Sequence, residues 1–305
     1  MRPTFVRTLT QLAAEDPNVF LLTGDLGYSV FEDFMKQFPR QYLNVGVAEQ
    51  NLMGVAAGLA LAGKKVFAYS IATFATMRCY EQIRNDIAYQ DLPVFIIGSG
   101  STFSYSTFGC THFPLEDLGI MRILPNMAVL SPGDPHEVAA LTRAMYTRGK
   151  PAYMRIAKRG EPVVHAADVP VTLGRALPVR DGKDATILVT GRQLPNAIAA
   201  ADSLAAEGIH CRVVSMHTWK PLDTDAVISA ARETGGIVTV EEHLTHGGFG
   251  SAVLEALADA GVSPAAFTRI AITDEFPKGV GMQDHFLERY RLTATGIADA
   301  VKSLR

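Results

Sequence analysis

Cysteine is scarce in this chain. Its 305 residues hold three, Cys79, Cys110 and Cys211, widely spaced. None forms a Cys-x-x-Cys pair or a Cys/His zinc spacing, and the odd count argues against a disulfide framework. A reduced, cytoplasmic setting is expected. Runs of one charge are missing as well: 28 Lys and Arg face 31 Asp and Glu, for a net charge of −3. Nucleic acid is not expected as a partner. The apolar runs are too short to span a bilayer, so no membrane partner is expected. The start, Met1-Arg2-Pro3-Thr4-Phe5, lacks the apolar stretch of a signal peptide. There is no Gly-Lys-Ser/Thr phosphate loop and no Gly-x-Ser-x-Gly nucleophile turn. Gly24-Asp25-Leu26-Gly27 follows an apolar run but lacks the Gly-x-Gly-x-x-Gly of a dinucleotide turn.

What is present is a globular balance, with 48% apolar and 19% charged residues, and enough length for two domains. Strands are expected over 19–23, 42–45, 65–70, 92–98, 127–130 and 152–156. Helices are expected between them, over 4–15, 30–37, 49–62, 73–89, 115–121 and 135–148. Such alternation predicts a parallel sheet covered on both faces. Residues 161–184 read as a linker with an extended segment, including Ala167-Asp168-Val169-Pro170. Alternation resumes with strands over 185–190, 211–215, 237–241 and 267–272 and helices over 194–206, 223–233, 249–260, 284–289 and 293–303. The division predicted is an α/β domain over 1–160, the linker, and a smaller α/β domain over 185–305.

One stretch dominates the first half. Asn44-Val45-Gly46-Val47-Ala48-Glu49-Gln50-Asn51 runs into Leu52-Met53-Gly54-Val55-Ala56-Ala57-Gly58. A short strand delivers one carboxylate, Glu49, to the start of a helix. That helix is apolar on every side and is expected to be buried. Gly54 and Gly58 would let another backbone approach closely. A lone acid there is costly without a partner. It can cap backbone donors, since a helix N-terminus favours an anion, or it can do chemistry. Phe74, Met77 and Tyr80 form one stripe at helical spacing, which by itself means core packing.

The stretch from Gly98 to Phe113 carries no acidic or basic residue besides His112, yet it holds four aromatics. An ordered loop of this length and composition is expected to line a pocket. Farther on, Gly247-Gly248-Phe249-Gly250 opens a helix and reads as a tight turn. His243 and His246 beside Glu241 and Glu242 have the chemistry of a metal cluster, but a strand end is the simpler reading, and no metal ligand is assigned.

These pieces together resemble a transketolase. Asn44 to Gly63, Tyr69-Ser70-Ile71-Ala72-Thr73-Phe74, Tyr80-Glu81-Gln82-Ile83-Arg84-Asn85-Asp86, Thr111-His112-Phe113 and Glu116-Asp117-Leu118-Gly119 are similar to the family's pyrimidine-binding domain. Met216-His217-Thr218-Trp219-Lys220-Pro221-Leu222-Asp223 and Val240-Glu241-Glu242-His243 with Gly247-Gly248 are similar to its C-terminal domain. The resemblance implies a thiamine-diphosphate-binding pyrimidine domain with a parallel sheet, followed by a transketolase C-terminal-like α/β domain. The family's diphosphate-binding Gly-Asp-Gly has no match, because Asp25 is followed by Leu26. A C-terminal subunit of a split transketolase is therefore implied. A separate N-terminal subunit would hold most of the diphosphate and its Mg²⁺ (or Ca²⁺), in a heterotetramer. The alternatives are the β-subunit of a 2-oxo acid dehydrogenase, which shares this domain order, and a non-catalytic scaffold.

The resemblance also implies roles. Glu49 matches the acid that hydrogen-bonds the aminopyrimidine ring nitrogen and promotes proton removal from the cofactor, a general acid/base task. Phe74 matches the aromatic that stacks on the pyrimidine. Tyr80 matches a second pocket aromatic, and Met77 stands where a third is common. Asp25 matches an acid near the cofactor, and His112 a histidine facing the small-molecule substrate. Arg2 and Ser29 fall near positions that meet an acceptor phosphate. The departures matter equally. Phe108 replaces an acid that recognises a substrate hydroxyl. Gly100 stands where a phosphate-contacting His is expected. Lys158 stands near a phosphate-contacting Arg and loses its two-pronged geometry. A non-standard acceptor, less hydroxylated or without phosphate, is expected.

Overall fold

The computed structural model describes residues 1–158, 160–167 and 169–304. Asp168 of the expected linker lies outside them. The first sheet holds seven strands in the order β10-β5-β6-β4-β3-β1-β2. These are β1 (Val19–Thr23), β2 (Tyr42–Asn44), β3 (Lys65–Ile71), β4 (Val94–Ser99), β5 (Ala128–Leu130), β6 (Ala152–Ile156) and β10 (Thr218–Lys220). The second holds β7 (Leu177–Arg180), β8 (Ala185–Val189), β9 (Cys211–Ser215), β11 (Ile237–Leu244) and β12 (Phe267–Ile272), in the order β12-β11-β8-β9-β7. Pairing is parallel except at β10 with β5 and β7 with β9. The helices between are α1 (Arg2–Glu15), α2 (Glu32–Gln37), α3 (Glu49–Leu61), α4 (Ala72–Met77), α5 (Tyr80–Gln82), α6 (Asp117–Arg122) and α7 (Pro135–Arg148). Those of the second half are α8 (Leu194–Ala206), α9 (Thr224–Glu233), α10 (Phe249–Asp259), α11 (Gln283–Arg289) and α12 (Ala294–Lys302). No described helix is long and apolar enough to cross a membrane.

The apolar runs read in the sequence become fully covered strands: β4 and β6 are buried at every position. Phe5, Leu9 and Leu12 of α1 and Val138, Leu141 and Met145 of α7 share one core with strand residues of the first sheet. A second core joins Leu52, Met53 and Ala56 of α3 to Trp219, Val227 and Phe249 from the second half of the chain. The two halves are therefore packed through a continuous apolar contact, which burial drives by roughly 25 cal/mol per Å² of apolar surface.

Three expectations change. The segment over 73–89 is not one helix. It breaks after Met77 into α4, α5 and a π-helical turn over Ile83–Ala88. Helix α3 is not buried all round. Gln50, Asn51, Gly54, Gly58 and Leu61 form an exposed stripe, with no atom within 4 Å of a side-chain position at either glycine. Past Gln50 and Asn51 the sequence hides this, because Gly54 and Gly58 leave the surface smooth rather than polar. Strand β10, unmarked in the sequence, crosses from the second half to pair with Val129 and Leu130 of the first sheet.

The linker is pinned as well. Asp134, the N-cap of α7, accepts from the backbone N–H of Glu137, Val164 and His165. The buried Glu137 carboxylate accepts from the His165 imidazole at 2.8 Å and the Ser215 hydroxyl at 2.6 Å. Each carboxylate already engages protein donors, so the cluster ties α7, the linker and β9 together. Burial acts against the His165 imidazolium, but Glu137 and Asp134 outweigh it and raise the pKa above the usual 6.5. That stabilisation is complete below the ordinary histidine value and is lost as pH rises through the raised one. The neighbouring His217 is shifted down, chiefly by burial, with the opposite dependence. In thermal unfolding scans from about pH 6 to about pH 8, the melting midpoint is expected to fall more steeply for the native chain than for His165→Asn. Equal slopes would contradict the pairing.

Candidate active site

Glu49 is set in place by the turn after β2. The Asn44 side-chain oxygen accepts from the N–H of Asp25 at 2.9 Å and of Gly46 at 3.0 Å, and its amide donates to the Asp25 carboxylate at 3.1 Å. These bonds fasten the β1 and β2 ends together and hold Asp25 in the left-handed region, φ 56°, which Asp tolerates better than most residues. Glu49 then opens α3 with its carboxylate 4% exposed. Its partner is Arg78, whose Nη1 donates to both carboxylate oxygens at 3.3 and 3.2 Å. The Arg78 guanidinium also lies 3.8 Å from the centroid of the Phe74 ring.

His112 sits beside the same group. Its ring meets Phe74 edge-on at 5.1 Å and stacks with Phe108 at 5.0 Å. Its Nδ1 shares a hydrogen bond of 3.0 Å with the Thr111 hydroxyl. Burial, and then the positive charge of Arg78, hold its pKa below the usual 6.5. Phe108 is 62% exposed, so an apolar ring faces outward beside the histidine. Tyr105 lies between Phe108 and Lys158, whose ammonium is 4.8 Å from the Tyr105 ring centroid. Gly100 has φ +100°, and a side chain there would meet the Tyr105 ring at 2.5 Å. A histidine at position 100 is thus excluded while Tyr105 keeps its place.

The structure brings Glu49, Phe74, His112 and Phe108 together, with Gly100 and Lys158 joined through Tyr105. The remaining residues singled out in the sequence lie apart. Met77 is on the outer side of α4 and partly exposed. Tyr80 donates its hydroxyl to the Ile120 carbonyl at 2.7 Å, tying α5 to α6. Asp25 stands at the mouth of α3 and lines a cleft with Tyr28, Phe31 and Glu32. Arg2 and Ser29 line a different cavity of about 400 Å³ with Arg7 and Asp33. Sequence reasoning missed Arg78, Tyr105 and the bracing role of Asn44. Arg78 carried a signal, a cation four residues after Phe74 and within the span of the stripe, but a surface charge explained it equally well.

The loop over 98–113 is held from the second half of the chain. Phe103 stacks on Phe286 at 5.0 Å, and Phe113 meets the same ring. Glu242 accepts from the Thr102 N–H and the Gln193 amide, and its carbonyl accepts from Arg155, which pairs with Asp117 at 2.9 Å. Glu241 accepts the N–H of Phe249 and Gly250 at the start of α10, and burial pushes its carboxyl up to about 8. His243 Nε2 accepts from the Gly119 N–H at 3.1 Å, whereas His246 is exposed. The acid and histidine cluster over 241–246 is thus a structural joint.

The residues present fit an aminopyrimidine: a buried carboxylate and an aromatic ring both contact one flat cation, Arg78. Followed by histidine-resolved NMR, the His112 imidazole is expected to titrate below 6.5, the usual value. An ordinary or raised titration would contradict its setting.

Two families match the chain: the one described as transketolase, pyrimidine binding domain, over residues 1–161, and transketolase, C-terminal domain, over 174–297. The 6-deoxy-6-sulfo-D-fructose transketolase subunit SqwH of Clostridium sp. (strain MSTE9) is 37% identical over 98% of this chain and 92% of its own. An apulose-4-phosphate transketolase subunit of Phocaeicola vulgatus is 37% identical over 90% of this chain and 88% of its own. A solved structure described as a split gene transketolase, inactive beta4 tetramer, superposes with a TM-score of 0.92 at 39% identity, covering 99% of this chain and 97% of that one. The pyrimidine-binding domain implies thiamine diphosphate as cofactor, and relatives named as subunits imply a partner chain. The chain belongs to the transketolase family, as the C-terminal subunit of a split enzyme.

Proposed function

We propose that this chain supplies the pyrimidine side of a thiamine diphosphate site completed by an N-terminal subunit, and that the pair moves a two-carbon ketol unit from a ketose-type donor to an aldehyde acceptor. Bound thiamine diphosphate supplies a nucleophilic carbon that also stores electrons. Glu49 hydrogen-bonds the pyrimidine ring nitrogen and controls the proton there. Phe74 would orient the ring by stacking, while Met77, Tyr80 and Asp25, which lie apart from that group, would act at most on its surroundings. His112 faces the substrate as a neutral imidazole able to donate or accept a hydrogen bond. The diphosphate and its Mg²⁺ or Ca²⁺ are held mainly by the partner, in an assembly of two copies of each chain.

The acceptor is less hydroxylated than a pentose phosphate, or lacks its phosphate. The observation that carries this is the Phe108 ring lying on His112. A substrate hydroxyl brought against that ring loses a water partner and gains none, at a cost of about 1–3 kcal/mol. Tyr105 fills the side-chain space at Gly100, and Lys158 offers an ammonium in place of a guanidinium fork. Arg2 and Ser29, which line a separate cavity, remain the candidates for a terminal anion. The relatives named for 6-deoxy-6-sulfo-D-fructose and apulose-4-phosphate support a substrate outside the ordinary pentose phosphates.

Two outcomes test the reading. In the assembled pair, Glu49→Gln is expected to lower turnover at least about a hundredfold while native mass spectrometry shows the assembly intact. Turnover equal to the native pair would favour a scaffold. In an acceptor screen, small aldehydes such as glycolaldehyde are expected to outperform ribose 5-phosphate in kcat/KM. Phe108→Asp is expected to narrow that gap. A native pair that prefers ribose 5-phosphate with xylulose 5-phosphate as donor would contradict the acceptor assignment.

A further inference from the structure

Arg78 belongs to none of the roles assigned above, yet it touches two of the residues that carry them. Its guanidinium covers the Phe74 ring at 3.8 Å and reaches both oxygens of Glu49. We propose that Arg78 is a placeholder for the aminopyrimidine: it lies between Glu49 and Phe74 where the cofactor ring binds, and the incoming ring displaces it into solvent. The proposal rests on the assignment of Glu49 and Phe74 to the pyrimidine.

The chemistry of the two groups supports the exchange. A guanidinium and an aminopyrimidine are both flat, both stack on aromatic faces, and both present N–H donors to a carboxylate. Glu49 is buried, and a buried carboxylate left without a donor is costly. Exchanging one flat donor for another lets Glu49 be answered both before and after the cofactor binds. The two groups cannot share the space, since the guanidinium is already at stacking distance from Phe74.

The geometry also makes departure easy. A single nitrogen of Arg78 serves both oxygens, instead of the parallel two-nitrogen fork that gives arginine its tightest carboxylate pairs. Its side chain is 48% exposed, so solvent weakens the ion pair and is within reach. Arg78 is the residue at which α4 ends, and Cys79 precedes α5. It can therefore swing outward without unwinding a helix. His112 senses the same charge, and its lowered pKa is partly Arg78's doing.

The sign of the effect separates a placeholder from a residue that merely supports the site. Titration calorimetry with thiamine diphosphate and Mg²⁺ on the assembled pair is expected to show Arg78→Met binding about three- to tenfold tighter than the native pair. The variant no longer has a pair to break. In the same variant the His112 titration moves up. Should Arg78→Met fail to assemble, Arg78→Gln carries the same comparison, with tightening again expected. Native-like or weaker binding by the folded variant overturns the placeholder. Absence of thiamine diphosphate binding by the native pair itself would instead overturn the underlying function.

Discussion

A carboxylate that is 4% exposed at the start of a helix must be answered by a donor, and much of the first half of the chain is arranged around that need. The β2 end and the Asn44 bonds set where α3 begins. Arg78 keeps right-handed helical backbone at the end of α4, so it and Phe74, four residues apart, share one face toward Glu49. The helix breaks only after that, at Cys79. The π-helical turn that follows fits the tendency of such distortions to lie near functional sites.

Among the described residues, the group of Glu49, Arg78, Phe74, His112 and Phe108 comes from the first half of the chain, but the second half decides where His112 stands. The loop over 98–113 has little regular structure of its own, and a loop of that kind needs fixing from outside. Phe286 and Tyr290 stack against Phe103, and Glu242 and Arg155 bind its base. Helix α11 thus acts on the substrate side through aromatic packing, while β11 acts through buried hydrogen bonds. Each buried charge in that joint has several partners, the condition under which such networks specify a geometry rather than only costing stability.

Both sheets and nearly every strand were readable because alternating helices and short apolar runs leave a strong local pattern. Glu49 was readable as an acid leading an apolar helix, and its chemistry became legible only with the surrounding motif. Three things were not readable. Strand β10 is three residues long and pairs with a strand far earlier in the chain, so nothing local marks it. The exposed stripe of α3 runs from Gln50 and Asn51 over Gly54 and Gly58 to Leu61, and beyond its first two residues it carries no polar signal. Arg78 looked like an ordinary surface cation, since its partners Glu49 and Phe74 meet it only in the folded chain. The histidines and acids over 241–246 show the reverse case: a suggestive cluster whose members serve as a joint between the halves.

The central claim is that Glu49 works on a coenzyme held jointly with another chain. The most direct measurement is to strip the assembled pair of coenzyme and divalent metal, then follow turnover as each is returned. The account predicts no turnover until both thiamine diphosphate and the metal are restored, and none from either chain alone. Undiminished turnover by the stripped pair, or by this chain without a companion, would contradict it.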